Sequence, residues 1–174
     1  MLNFPRFILI PLLLIPALAV AHGPSRQKLV KEIEINAPAD KVWGIVSDFC
    51  SIKNWNPDVS GCENNKGNEP DSERTITLAN GLSMKEKLAK YKPDNMTYMY
   101  FLTEPNIDAF PVNTHSLTIT VKDNGGKSMV EFKGAFYRSF PGPNPPPGMS
   151  DEDAAAKLGE FYMHGLEGIK KAAE

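Results

Sequence analysis

The sequence predicts an α+β domain in which a curved antiparallel sheet wraps around one long C-terminal helix. Apolar and polar residues alternate through a series of segments between residues 74 and 136, which is typical of half-buried strands. The final stretch, roughly 20 residues long, carries a single apolar stripe at helical spacing. A long helix with one apolar stripe has to lie against a partner, and a curved sheet is the natural one.

The first elements are a strand and two short helices. Lys28–Asn36 alternates as a half-buried strand, and Asn36-Ala37-Pro38 ends it, with Pro38 opening a helix at its first position. Apolar residues then recur at helical spacing from Val42 to Phe49. Ser51–Trp55 is predicted to form a second short helix.

Four or five strands are predicted next, followed by the last helix. Each strand has its inward residues on one parity. These inward sets are Arg74, Ile76 and Leu78; Leu82, Met84, Glu86 and Leu88; Met96, Tyr98, Tyr100 and Leu102; His115, Leu117, Ile119 and Val121; Val130, Phe132, Gly134 and Phe136. Glu104–Pro111 and the Pro/Gly-rich Pro141–Gly148 are predicted loops, and Ser150 with Asp153 resembles a capping box that opens the helix.

One hairpin fixes the register of two charged residues. The three-residue loop Ala79-Asn80-Gly81, with Gly81 in the left-handed region, pairs residue 78 with residue 82. That register puts Arg74 opposite Glu86 on the apolar face. Two inward charges need each other, because an unpaired buried charge is costly. The pair is interpreted either as a polar anchor for a ligand or as a structural ion pair.

The N-terminal segment is predicted to be a secretory signal peptide. Arg6 precedes an apolar run from Phe7 to Ala21, which ends in the small-x-small sequence Ala19-Val20-Ala21. Residues 1–21 would be removed by a cut after Ala21, leaving residues 22–174 as one domain. The product is expected in a bacterial periplasm, with no membrane attachment after cleavage.

Composition and cysteine content narrow the class of protein further. The formal net charge of −2 for 174 residues excludes a strongly basic nucleic-acid-binding protein. In an oxidising compartment, Cys50 and Cys62 would form a disulfide or remain as two buried thiols, and the sequence leaves both alternatives open. His22 would become the mature N-terminus, but no spaced cluster of metal ligands is visible, so neither a metal site nor a cofactor is expected.

These segments resemble the START-like SRPBCC superfamily, the helix-grip fold of polyketide cyclases and lipid carriers. The resemblance rests on IEINAPADKVW from Ile33 to Trp43, on Trp55-Asn56-Pro57, and on Arg74–Leu78 with Gly81 and Glu86. It covers nearly all of residues 22–174. It implies a ligand cavity between the sheet and the long helix.

A closer resemblance is to the MxaD family, periplasmic members of the superfamily encoded among methanol-oxidation genes. The shared features are the signal peptide, His22-Gly23-Pro24, Thr114–Val121, Phe136-Tyr137-Arg138 and Glu160-Phe161. The cysteine pair and His115, where a tyrosine is expected, depart from that family. The resemblance implies a non-enzymatic helper of methanol dehydrogenase and its cytochrome c acceptor. The loops Glu104–Pro111 and Pro141–Gly148 are the predicted docking surface.

Two other functions are also compatible with the sequence. One is a carrier or sensor of a small hydrophobic ligand such as a quinone or lipid, and the other is a cyclase-type enzyme. An enzyme would use His115 as acid or base together with Tyr98 or Tyr100. The alternative is that His115 is a hydrogen-bonded histidine of the core. The residues predicted to line a ligand cavity are Arg74, Glu86, Tyr98, Tyr100, His115, Phe132, Phe136 and Tyr162.

Overall fold

The structure, a computed structural model, describes residues 23–174. The predicted signal peptide and its cut after Ala21 lie outside the described residues. The three helices are α1 (Ala39–Val46), α2 (Ile52–Trp55) and α3 (Asp151–Ala173). The seven strands are β1 (Gln27–Ile35), β2 (Val59–Asn64), β3 (Glu73–Leu78), β4 (Ser83–Lys92), β5 (Thr97–Glu104), β6 (Val112–Asp123) and β7 (Ser128–Arg138).

All seven strands form one antiparallel sheet in the order β1-β7-β6-β5-β4-β3-β2. The strands from β2 to β7 follow one another as a meander, and β1 joins the far edge by pairing with β7. The sheet curves over α3, and the buried apolar residues lie between them. The predicted fold class, a curved antiparallel sheet around a long C-terminal helix, is confirmed.

Helix α3 is fixed at its first turn and along its buried face. The Ser150 side chain accepts a hydrogen bond from the Asp153 backbone, and the Asp153 carboxylate accepts one from the Ser150 backbone, which completes the predicted capping box. Gly165 and Gly168 let the helix approach the segment that ends α2. A Cβ atom at Gly168 would overlap the carbonyl oxygen of Trp55.

The predicted hairpin between β3 and β4 is also confirmed. Gly81 has a φ of 84°, and the backbone amide of Leu78 donates to the carbonyl of Leu82. The register places Arg74 directly opposite Glu86. Both side chains are buried, as the shared parity predicted.

The structure corrects three local predictions. Strand β2 was not predicted, because Val59–Asn64 holds few apolar residues and no clear alternation; its pairing with β3 makes it a strand. Pro38 precedes α1 in an extended conformation rather than occupying its first position. Met96 has a φ of 47° and lies in the turn before β5 rather than in that strand, with its side chain partly buried against the core.

A disulfide joins the turn after α1 to the edge strand. Cys50 and Cys62 are bonded, with their Cα atoms 5.5 Å apart. Within residues 23–174, no helix has the length and apolar character needed to cross a bilayer.

Candidate functional site

The space between the sheet and α3 is almost completely filled by side chains. A small interior cavity lies there, in which the volume open to the centre of a water molecule is about 10 Å³. That is room for about one water. Its walls come from β4, β5, β6, α3 and the β5–β6 loop. They are formed by Met84, Glu86, Leu102, Phe110, Val112, His115, Leu158 and Phe161.

His115 faces this cavity and is held by the helix on the opposite side. Its Nε2 atom lies 2.5 Å from the hydroxyl of Tyr162, a hydrogen-bond distance. Burial lowers the pKa of His115 to about 4, so the imidazole is neutral at pH 7. Gly134 makes room for the contact, since a Cβ atom there would overlap the Tyr162 hydroxyl. The hydroxyl bonded to His115 is therefore that of Tyr162, whereas the predicted proton-handling set used Tyr98 or Tyr100.

Arg74 and Glu86 form a buried ion pair beside the cavity. Arg74 Nε donates to Glu86 Oε2 over 2.7 Å, and Nη2 lies 2.7 Å from the same oxygen, outside hydrogen-bonding geometry. Arg74 Nη1 donates to the carbonyl oxygen of Phe49, and the guanidinium lies over the rings of Phe49 and Tyr100. Burial opposes the charge on Arg74, but the Glu86 carboxylate raises its pKa above the usual value.

The remaining predicted cavity residues lie within the packed core. Tyr98 and Tyr100 stack with their ring centroids 6.3 Å apart, and Phe132 lies edge-on to Tyr162 at 5.9 Å. Phe136 is also fully buried. Burial raises the pKa of Tyr98, Tyr100 and Tyr162, so all three phenols are neutral. The structure thus brings Glu86 and His115 to the cavity wall, and a ligand contact for the other six residues stays a prediction.

Two phenylalanines separate the cavity from the surface. Phe110 of the β5–β6 loop and Phe161 of α3 meet edge to face, with ring centroids 5.2 Å apart. Both rings line the interior cavity on one side and a surface groove of about 350 Å³ on the other. Neither residue was predicted as a site residue. Phe161 belongs to the apolar stripe predicted for the last helix, and Phe110 belongs to the predicted loop Glu104–Pro111.

The outer groove combines an apolar floor with a mostly acidic rim. Its walls are formed by Asp58, Leu78, Ala79, Asn80, Asp108, Ala109, Phe110, Lys157, Glu160, Phe161 and His164. His164 Nδ1 lies 2.8 Å from an Asp58 carboxylate oxygen, and the hydrogen bond and charge of Asp58 raise the pKa of His164. The His164 side chain is exposed. Its partner, 106 positions away, left no sequence signal.

The two predicted docking loops lie side by side at the same end of the sheet. The backbone amide of Ser139 donates to the carbonyl of Pro111 over 2.8 Å, which links the loops. Buried Arg138 then fixes the Pro/Gly-rich loop by donating to the carbonyls of Phe140 and Gly142 and to the carboxylate of Asp151. Only part of Glu104–Pro111 is accessible to a docking partner, because its last three residues are buried. In the described part of the chain, no group of three or more His, Cys, Asp or Glu side chains is arranged to bind a metal.

Comparison with known proteins identifies the family. The sequence profile described as polyketide cyclase / dehydrase and lipid transport matches residues 26–174. The chain belongs to this family. Among curated proteins, none matches the sequence of this chain.

Solved structures place the same fold in distant organisms. An uncharacterised protein from Bacillus thuringiensis is 24% identical with a TM-score of 0.70, covering 84% of this chain and 98% of its own. The protein XoxI from Bacillus cereus is 25% identical with a TM-score of 0.70, covering 84% and 94%. Ginseng major latex-like protein 151 from Panax ginseng is 14% identical with a TM-score of 0.66, covering 85% and 97%. The first and third of these similarities concern the fold alone.

Proposed function

We propose that this member of the polyketide cyclase / dehydrase and lipid transport family is a non-enzymatic accessory protein of periplasmic methanol oxidation. It would bind methanol dehydrogenase and its cytochrome c acceptor and assist electron transfer between them. The observation that carries the non-enzymatic part is the filled interior. His115 is bonded to Tyr162, Arg74 is bonded to Glu86, and about one water fits beside them.

The identity of the partners rests on the resemblance to the MxaD family. Two further features support the location. The segment before the described residues has the pattern of a signal peptide, and a disulfide suits an oxidising compartment. The family scaffold would therefore act outside the cytoplasm, where it would meet both partners.

The docking surface we propose is the end of the sheet that carries the linked loops. Arg138 holds the Pro/Gly-rich loop in place, so a partner pays little conformational entropy when it binds there. The acidic-rimmed groove opens beside one of these loops, Glu104–Pro111, and presents Asp58, Asp108 and Glu160 to a partner. Positively charged groups on a partner would be attracted to that rim.

The test is an electron-transfer assay with purified methanol dehydrogenase and its cytochrome c. We expect the wild-type protein to raise the rate of cytochrome reduction. Replacing Pro145–Pro147 with Gly-Ser residues should weaken that effect several-fold, because the loop would lose its fixed shape. The matched control, Asp94→Gly with Asn95→Ser, changes a turn at the opposite end of the sheet and should keep the full effect. If the wild-type protein leaves the rate unchanged, the proposed function is wrong.

A second candidate function is the binding of a small hydrophobic ligand. It is favoured by the carboxylate of Glu86 and the imidazole of His115, which face one cavity from neighbouring parts of the sheet. A lipid-sized ligand would need Phe110 and Phe161 to move apart. A small organic adduct in native mass spectrometry of the protein isolated from its own periplasm would favour this function over the first.

A further inference from the structure

The outer face of the sheet, which faces away from α3, carries an unusual share of exposed apolar side chains. Four large apolar residues are exposed in the described part of the chain. Three of them, Val30, Phe101 and Tyr137, lie on this face. The outer face of an antiparallel sheet is ordinarily polar, so these three exposed apolar residues are exceptions on this face.

Lysines lie beside these apolar residues in two neighbouring rows. Strand register aligns one row across five strands as Lys90, Met99, Thr118, Lys133 and Val30. The next row is Lys87, Phe101, Ser116, Ala135 and Lys28. We call these ten residues, together with Tyr137, the outer-face patch.

Most of the positive charge in the outer-face patch is uncompensated. Lys87 is paired with Glu73 over 3.3 Å. By contrast, Lys28, Lys90 and Lys133 are exposed, and within residues 23–174 none of them lies within 4.0 Å of a carboxylate. The middle strand of the patch, β6, contributes Thr118 and Ser116, and Met99 and Phe101 lie on the neighbouring strand β5. Aromatic residues and methionine are enriched in protein interfaces, and charges at the rim steer association.

The outer-face patch is small. Five strands at about 4.8 Å spacing span roughly 20 Å, and the four residue steps from Lys133, which is level with Val30, to Tyr137 extend about 13 Å along the strands. The resulting projected area, on the order of 250 Å², is less than a standard interface buries on each partner, so the patch suits a weak, transient contact rather than a stable complex. Such interfaces gain more in association rate than in affinity from complementary charge.

We infer that the outer-face patch is a second docking surface, and that it takes an acidic surface of a partner protein. This inference rests on the proposed function, because it assigns one of the two partners to a separate face. The groove beside the loop Glu104–Pro111 is rimmed by Asp58, Asp108 and Glu160, whereas the patch is basic. Surfaces of opposite charge on separate parts of one molecule allow two partners to be bound together without competing.

Charge reversal with a matched control tests this assignment. The patch variant is Lys28→Glu, Lys90→Glu and Lys133→Glu. The control variant reverses three other exposed lysines, Lys53, Lys66 and Lys171, so that both variants have the same net charge. Affinity for purified methanol dehydrogenase and for its cytochrome c is measured separately at low and moderate ionic strength. Urea unfolding checks that both variants remain folded.

We expect the patch variant to lose at least tenfold in affinity for one partner, with the loss shrinking as salt is raised. The control variant should remain within about twofold of the wild type. Phe101→Ser should weaken the same complex without changing its salt dependence, because it removes apolar contact and no charge.

Other results would overturn the inference in distinct ways. Equal losses of affinity in both charge variants would mean that binding depends on the net charge of the protein and not on the position of these lysines. Unchanged affinity of the patch variant for both partners would exclude this face and leave the proposed function standing. Self-association of the wild type in sedimentation velocity, lost in the patch variant, would make the partner a second copy. If the wild type binds neither partner, the proposed function itself fails.

Discussion

His115 and Tyr162 show how one buried contact links the sheet to the long helix. The pair spans 47 positions and needs a glycine, Gly134, to leave room for the phenol. Because the imidazole is buried, its charged form is disfavoured and its pKa is lowered. The contact joins strand β6 to helix α3.

The first prediction concerns the pH dependence of stability at His115. Its pKa is about 4 when folded and 6.5 in the reference state, so the unfolded chain takes up the proton first as the pH falls. The contribution of His115 is complete above about pH 6.5 and is lost as the pH falls towards 4. We expect the drop in unfolding free energy from pH 7 to pH 4.5 to be about 2 kcal/mol smaller in His115→Gln than in the wild type. Urea titrations at both pH values measure it, and equal drops would contradict the buried neutral imidazole.

The placement of Arg74 and Glu86 could be predicted from the sequence, but the third group that they contact could not. Period-two alternation and the loop ending in Gly81 were enough to place the two charges opposite each other and facing inward. The third partner, the carbonyl oxygen of Phe49, was not predictable. It belongs to a turn 25 positions earlier, and only the packing of α1 and α2 onto the sheet brings it there.

At the scale of elements, α3 depends on small residues where it meets the segment after α2. Gly168 lies against the backbone of Trp55, so its missing side chain sets the distance between α3 and the end of α2. Gly159, on the same helix, has only Lys31 Cε at 3.6 Å from the place a Cβ atom would occupy. The two glycines therefore differ in packing while sharing one helix.

The second prediction compares these two glycines. Gly168→Ala should lower the free energy of unfolding by about 1–3 kcal/mol, because the added methyl group would force α3 away from Trp55. Gly159→Ala should leave it unchanged or raise it by up to about 1 kcal/mol through helix propensity. Urea unfolding of both variants makes the comparison. A loss in Gly159→Ala as large as that in Gly168→Ala would show that close approach to Trp55 is not the cause.

The strands that were predicted from the sequence bury one face, whereas the strand that was not predicted, β2, does not. Strands β3 to β7 bury one face each, so alternation in the sequence revealed them. Edge strand β2 buries only Val59 fully, and its hydrogen bonds to β3, rather than its own side chains, make it a strand. The filling of the interior could not be predicted from the sequence either, because the depth of a cavity depends on how far the sheet and α3 close on each other.

At the scale of the whole molecule, the disulfide is a covalent link between the turn after α1 and the edge strand β2. It closes the chain over α2 and the start of β2, with a sequence separation of 12. The same stretch supplies the Phe49 carbonyl to Arg74 and the Trp55 backbone to α3. Restricting the unfolded chain here therefore favours the state in which the sheet, the short helices and α3 are assembled together.

The third prediction concerns removal of this link. Cys50→Ala with Cys62→Ala should cost about 2–3 kcal/mol of unfolding free energy, the value expected for closing a loop of this length. The wild-type protein unfolded in dithiothreitol should match the double variant, since both lack the same constraint.

If the protein matures in the periplasm, its mass after gentle isolation should correspond to a chain starting at His22 with two hydrogens fewer than the reduced form. Free thiols in that material would contradict the oxidised state, and equal stability of the double variant and the oxidised wild type would show that the link contributes nothing to folding.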